Sequence, residues 1–457
     1  MKELFFGLIF VLLFTVFGYG QSEMLSLNDC IEMALKNNPM IVRTMNQDEA
    51  SDEDVLASYS GILPTINVSA NSGRVEAGGR ETEGDVPVGI DSTGNAIYER
   101  RTITQPGYVT NFNRFGLDVN QNLFDGGEWW QAIGYAKSQK RSSAYNLIST
   151  INATVYSTQE AFFNVLKQFK LLEVNQIAVE RSQDQLNKTE KMFELGAVAK
   201  VDVYRSRVNL GNDKIQLLLQ KNALLTAKQN LNLVMGRDPQ TPLEIKPEFK
   251  LPTSFPNVDE LYQQALNKNP DLMVAEENAY GADLMVSRSY AVLWPTLSAF
   301  FSYNRSHEGF AKVYGSWDKN WNMNWGLSLR WNLFNGFNDK VRIQKNKLAH
   351  RSYLVTQEET KRNLKSEIVN QIDTFNSYLE IIDINEDNLE AAQEEFRLAE
   401  ERYRIGSGTA LEVREAQVNL NRAEQTLVAA KYNARMTQAS LEQILGVIYT
   451  KNGETTE

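Results

Sequence analysis

The stretch Leu27-Asn-Asp-Cys-Ile-Glu-Met-Ala-Leu-Lys-Asn-Asn-Pro39 returns later in the chain as Val258-Asp-Glu-Leu-Tyr-Gln-Gln-Ala-Leu-Asn-Lys-Asn-Pro270. From Pro39 to Pro270 the offset is 231 residues, and Leu63-Pro64-Thr65 answers Trp294-Pro295-Thr296 at the same spacing. Downstream the offset becomes 210. Gln121-Asn-Leu-Phe-Asp-Gly126 then matches Trp331-Asn-Leu-Phe-Asn-Gly336, Leu195-Gly196 matches Ile405-Gly406, and Met235-Gly236 matches Leu445-Gly446. The difference of 21 residues must be extra sequence between Thr65 and Gln121. A period this long exceeds any solenoid unit and indicates a duplicated domain. The predicted division is a first repeat over 21–236, a Pro-rich linker over 237–257, a second repeat over 258–446 and a tail over 447–457.

Residues 1–20 read as a secretory signal. Lys2 is followed by a run from Leu4 to Phe17 that is apolar apart from Gly7 and Thr15, and then by the small residues Gly18 and Gly20. No other run is long and apolar enough for a spanning helix. The single cysteine, Cys30, can form no intramolecular disulfide and reads as a half-buried helix residue. A net charge of −10 argues against a nucleic-acid partner, which would require a basic face. His307 and His350 are the only histidines and fall in different segments, so no metal-ligand cluster is expected. No nucleophile–base set, P-loop or dinucleotide fingerprint is present either. The chain therefore reads as a protein with no catalytic residue, no metal and no cofactor.

Proline is absent between Pro106 and Pro239 and again after Pro295, which leaves two long stretches free to be helical. Both carry heptads. Val165, Leu172, Val179, Leu186 and Phe193 match Phe375, Ile382, Leu389, Phe396 and Tyr403 at +210. Val203, Leu210, Leu217, Leu224 and Leu231 match Val413, Leu420, Leu427, Ala434 and Leu441. Such spacing predicts helices packed lengthwise, over about 127–195, 201–236, 337–405 and 410–446. Each repeat is thus a helical hairpin with a tight tip turn, at Gly196–Lys200 and, through Gly408, at Gly406–Thr409. At 1.5 Å per residue the first arm is roughly 100 Å long.

Four segments alternate with period two instead, at about 65–74, 112–124, 296–305 and 321–334. The clearest runs Trp321, Met323, Trp325, Leu327, Leu329, Trp331, Leu333 against Asn322, Asn324, Gly326, Ser328, Arg330, Asn332. Strict alternation predicts a sheet that is apolar on one face and wet on the other. Such a sheet fits either a soluble layer packed on the helices or a membrane barrel; the tryptophans near both ends of the last strand suit the interfacial girdles of a barrel, with Trp325, Leu327, Leu329 and Trp331 toward lipid. Arg74–Asn111 reads as a long polar loop and Arg305–Asn320 as a short one. Four strands cannot close a barrel, and an open edge cannot lie in lipid with its backbone unpaired, so several copies must assemble.

These features together resemble the TolC-like outer-membrane efflux proteins. The resemblance is carried by the paired Ala-Leu-x-x-Asn-Pro segments, the Leu/Trp-Pro-Thr strand starts, the Asn-Leu-Phe-(Asp/Asn)-Gly strand ends, and Tyr403-x-x-Gly406 with Glu412-Val413. It implies a mixed α and β membrane protein: a homotrimer whose twelve-stranded β-barrel in the outer membrane continues into a periplasmic α-helical barrel. It further implies a passive, non-enzymatic exit duct for a tripartite efflux or type I secretion system. The duct's partners would be a periplasmic adaptor (membrane fusion) protein and an inner-membrane efflux or secretion transporter. The linker and the short tail would join a belt around the helical barrel. By the same resemblance Glu412 and Glu415 are expected to narrow the periplasmic entrance, with Asp202 the acid at the first tip and Tyr403 holding the tip shut. The chain departs from the family at Gly408, where the best-known tip network has an arginine. Thr409 to Glu412 also reads as a helix capping box. A soluble periplasmic coiled-coil scaffold or adaptor is the alternative; the duplication and the Trp-rich strands count against it.

Overall fold

A computed structural model describes residues 24–247, 255–315 and 317–446. The expected signal segment, the tail and the middle of the linker lie outside the described residues. The described residues separate into two compact units, one drawn from 24–48, 143–247, 255–274 and 357–446 and one from 49–142, 275–315 and 317–356.

In chain order the helices are α1 (Leu27–Asn37), α2 (Pro39–Ser58), α3 (Glu128–Glu194), α4 (Lys200–Val234), α5 (Val258–Lys268), α6 (Pro270–Tyr290), α7 (Phe310–Tyr314), α8 (Asn338–Arg404) and α9 (Ala410–Ile444). The duplication is reproduced to the residue in its long arms: α3 and α8 have 67 residues each, α4 and α9 have 35. Of the heptad positions, Val165, Leu186, Val203, Leu210 and Leu231 are buried in the first repeat, and Phe375, Tyr403, Val413, Leu420, Ala434 and Leu441 in the second. Leu172, Val179, Leu217 and Leu224 are only half-buried, and Phe193 is exposed. A single chain does not cover its own stripes.

Helices α2 and α6 are not anticipated by the sequence reading, which places long helices only in the two proline-free stretches. Pro39 and Pro270 are each the first helical residue, where a missing N–H costs nothing. The residue before each proline makes a junction. Asn38 donates its side-chain amide to the Val234 carbonyl at the end of α4 (2.9 Å) and accepts from the Met40 N–H at 2.8 Å. Asn269 does the same with the Ile444 carbonyl (2.9 Å) and the Leu272 N–H (3.0 Å). Gly236 (φ +70°) and Gly446 (φ +67°) follow those helix ends; a Cβ there would sit 2.5 Å from the Asn37 oxygen or 2.4 Å from the Lys268 oxygen. The Asn-Pro and terminal-Gly motifs are therefore two halves of one joint. Cys30 packs beside it against Phe162, Phe163, Leu231 and Met235. It is fully buried rather than half-buried, and burial pushes its thiol up to about 12.

The other unit carries six strands among the described residues. Strands β1 (Thr65–Ala77), β4 (Tyr108–Phe124), β5 (Thr296–His307) and β6 (Trp321–Arg330) form one antiparallel sheet in the order β1-β4-β5-β6. The segment expected to be a polar loop instead contains β2 (Arg80–Ile90) and β3 (Ala96–Gln105), paired as a two-stranded ribbon. Gly78-Gly79 and Pro106-Gly107 separate it from β1 and β4, since proline cannot donate to a ladder. The fourth strand is shorter than predicted. It ends at Arg330, which pairs with Thr296, the first residue of β5. Trp331 to Phe334 consequently find no partner on β5, which is preceded by Pro295. Trp331 is not a strand residue; its indole N–H donates to the Leu293 carbonyl at 3.2 Å.

Candidate functional site

The sheet register aligns side chains of one kind across all four strands. Val68, Leu117, Tyr303 and Met323 form one cross-strand row, and Ile66, Val119, Phe301 and Trp325 the next. The intervening row, Asn67, Asp118, Ser302 and Asn324, points to the other face, and Ser302 donates to Asp118 at 2.7 Å. Two breaks in the sequence alternation are explained by neighbours. Gln121, on the apolar face, donates to the Ile62 carbonyl at 2.9 Å. Phe300, on the polar face, lies opposite Gly326, where a Cβ would come within 3.2 Å of its ring. The apolar face is open: Trp325 is 74% and Leu329 68% exposed, and Leu327 is exposed beside them. Arg305 belongs to the same face but is covered. Its guanidinium donates to the Lys312 and Lys319 carbonyls (3.1 and 3.0 Å) and lies over the Trp317 ring. Nothing in the sequence marks this arginine, because its partners come from the following loop.

At the hairpin tips, Gly196 (φ +76°) and Gly406 (φ +79°) take the left-handed conformation that ends α3 and α8. The bonding repeats at +210: Gly196 N–H to Phe193 and Ala197 N–H to Met192, Gly406 N–H to Tyr403 and Ser407 N–H to Arg402. Gly408 lies against the end of α8. A Cβ there would be 3.0 Å from the Arg402 Cβ and 3.1 Å from the Tyr403 nitrogen, so a longer side chain has no room without a shift. The basic group at this turn is Arg402, which donates to the Ser407 carbonyl at 3.2 Å and stands 3.5 Å from the Glu412 carboxylate. Thr409 caps α9 by accepting from the Glu412 N–H at 3.3 Å. Glu415 is exposed and has no ion pair among the described residues. At the first tip Asp202 pairs with Arg205 at 3.3 Å, so that turn is locally neutralised.

Tyr403 is buried, and its hydroxyl lies 3.2 Å from the Thr189 hydroxyl on α3. It opens onto a polar seam that sequence reasoning missed. Arg414 on α9 makes a two-pronged ion pair with Asp213 on α4 (2.6 and 3.0 Å). Ser182 on α3 donates to the same carboxylate, and Gln417 donates to Ser182 at 2.8 Å and to the Ala178 carbonyl at 3.2 Å. Arg181 adds an ion pair to Glu424 at 3.1 Å. The only signal for this seam in the sequence is a set of hydroxyl and acidic residues at helix-core spacing. Among the described residues no group of three or more His, Cys, Asp and Glu could hold a metal ion, and no helix is long and apolar enough to cross a membrane.

Paired long hairpins joined to a sheet with one open apolar face define a class of protein seen in several solved channels. CusC aligns with a TM-score of 0.76 at 17% identity, covering 92% of both chains. VceC of Vibrio cholerae aligns at 0.74 and 16% identity, covering 92% of this chain and 96% of its own. These likenesses show the fold. The model of the outer membrane efflux protein family matches residues 30–237 and 261–447, and the chain belongs to that family, a TolC-like protein of the outer membrane. Among its relatives, TolC of Escherichia coli strain K12 is 23% identical over 468 residues, covering 98% of this chain and 87% of TolC. The toluene efflux pump outer membrane protein TtgC of Pseudomonas putida is 21% identical over 304 residues, or 65% of this chain. The chain spans 61% of the length of that relative.

Proposed function

We propose that this protein is a passive outer-membrane exit duct assembled from three copies. Its sheets form a twelve-stranded barrel, and its long hairpins form a helical conduit that opens at the tips. The observation that carries this reading is the four-stranded sheet with aligned apolar rows exposed on one face, aligned polar rows on the other, and two unpaired edges at β1 and β6. An open edge costs several kcal/mol per unsatisfied backbone group in hydrocarbon, so closure by further copies is required if this face meets lipid. The names of TtgC and CusC, a toluene pump component and a cation efflux protein, support efflux as the process. A periplasmic adaptor and an inner-membrane transporter would then open the tips and select the cargo.

Fractionation followed by planar-bilayer recording tests the reading. The protein is expected in the outer membrane as a trimer that forms discrete ion-conducting steps. Recovery as a soluble or monomeric species, or membrane trimers without conductance, would overturn it.

A further inference from the structure

The duplication places an arginine on the apolar face of the sheet twice, and the two copies differ. At the offset of 231, Arg74 on β1 corresponds to Arg305 on β5. Arg74 is exposed and pairs with Glu76 at 2.5 Å, two residues along the same strand. The counterpart of Glu76 is His307, and β5 contains no carboxylate. Arg305 is only 1% exposed. Its Nη2 group donates to the Lys312 and Lys319 carbonyls, and its Nε and Nη1 groups have no acceptor among the described residues. The Trp317 ring, 4.7 Å from the guanidinium carbon, covers it and meets Phe115 edge-to-face at 5.5 Å. One repeat neutralises its arginine locally. The other buries a cation without a counter-charge, which is costly unless an anion completes it.

The two carbonyls gathered by Arg305 belong to lysines, so three cations meet at one corner of the sheet. Lys312 and Lys319 are exposed, and neither has an ion pair among the described residues. Against these three stand two acids. Glu308 accepts from the Thr110 hydroxyl at 3.2 Å, and Asp318 is exposed without an ion pair among the described residues. Arg114 adds a further cation on the polar face, over the Phe112 ring. Around the corner Phe310, Trp317 and Trp321 are exposed, with Trp321 in the same cross-strand row as Arg305. In the chain the strand ends at Thr65, Phe124, Thr296 and Arg330 adjoin helical segments, and this corner lies at the opposite end, beside the long insertion between β1 and β4. Long connections of a membrane barrel lie outside the cell. We infer that the corner binds a phosphate group carried by a lipid of the outer leaflet. The Lys312 and Lys319 ammonium groups meet the phosphate, and Arg305 adds its charge from beneath the Trp317 ring. Under a low-dielectric cover that charge is weakly screened and acts strongly at short range. Aromatic rings with one wet edge suit the headgroup level. The inference rests on the membrane barrel proposed above.

The test compares lipids that differ only in phosphate. Delipidated trimers in detergent are mixed with diphosphorylated lipid A or with its dephosphorylated form, and bound lipid is counted by native mass spectrometry. The phosphorylated form is expected to be retained several-fold better. Lys312→Gln with Lys319→Gln, both at exposed positions, should abolish that preference while trimer yield stays unchanged. Arg305→Gln keeps an amide donor for the two carbonyls but removes the charge, and it should weaken the preference as well. Inorganic phosphate at the same concentration should not displace the lipid; displacement would make this a free-anion site and overturn the lipid assignment. Normal trimers that retain both forms equally, or a double lysine variant that keeps the preference, would overturn the site and leave the duct intact. Absence of membrane trimers of the unmutated protein would overturn the duct and the site together.

Discussion

Asn38 and Asn269 each cap two helices at once, taking the last carbonyl region of one arm and the first N–H groups of the next. Asn269 is buried, so Asn269→Ala strands both partners and is expected to cost about 1–3 kcal/mol, read as a fall in the urea midpoint. Asn269→Asp, which keeps the acceptor and loses the donor, should fall between. Beside the other joint, Cys30 should resist thiol reagents at neutral pH, because it is buried and its thiolate is disfavoured up to about 12. One equivalent reacting before denaturation would show that α1 is not docked there. Asp29 is half-buried, and its hydrogen bonds from Ser26 hold its carboxyl below the ordinary value of 3.8. The folded pKa is depressed, so this capping contribution is present above pH 3.8 and is lost as pH falls through the folded value. Asp29→Ala should remove that acid-sensitive component from the stability–pH profile of α1.

At the scale of elements, alternation on β6 separates two substitutions that are adjacent in sequence. Leu329→Arg places a charge on the exposed apolar face and is expected to cost about 2–4 kcal/mol in a lipid-embedded barrel, whereas Ser328→Arg faces the polar side and should be tolerated. Trimer yield in membranes distinguishes them, and equal defects would reject the assigned faces. Trp331 lies past the strand end, so Trp331→Arg should disturb assembly less than Leu329→Arg. In the helical arms, Leu210 is buried between α3 and α4, and Leu210→Ala should cost about 2–5 kcal/mol. Leu217 is only half-buried in the single chain. A cysteine there should label with a hydrophilic maleimide more slowly than one at exposed Lys221, and more slowly still after assembly.

For the whole molecule, the proposed entrance is the second hairpin tip. Glu412 is partly offset by Arg402, while Glu415 is exposed without an ion pair among the described residues. Three residues apart on one helix, they share a face, and three copies would present six carboxylates. In a planar bilayer, a trivalent cation added from the tip side is expected to block conductance through the assembled protein. Glu412→Ala with Glu415→Ala should abolish the block; unchanged block would remove these residues from the entrance. Asp202 already pairs with Arg205, so Asp202→Ala should have a smaller effect than Glu415→Ala.

The duplication, the four long helices to within two residues at their boundaries, and the two faces of the sheet are legible in the sequence alone. Those features are written in local periodicity, since a residue's face follows from its spacing to near neighbours. The heptads of α3 and α9 and the alternation of β6 needed no partner to be read. The remaining features depend on meetings between distant segments. The Arg414–Asp213 pair joins residues 201 apart, and no spacing rule announces it. The Asn-Pro motifs were visible as repeats, but their capping of α4 and α9 required those helix ends to arrive. Trp331 fit the alternation and still lies outside the strand, because strand length is set by where the partner stops. Helices α2 and α6 were hidden by prolines that occupy the one helical position where proline is welcome. Periodicity records which side of an element is covered; only the fold records by what.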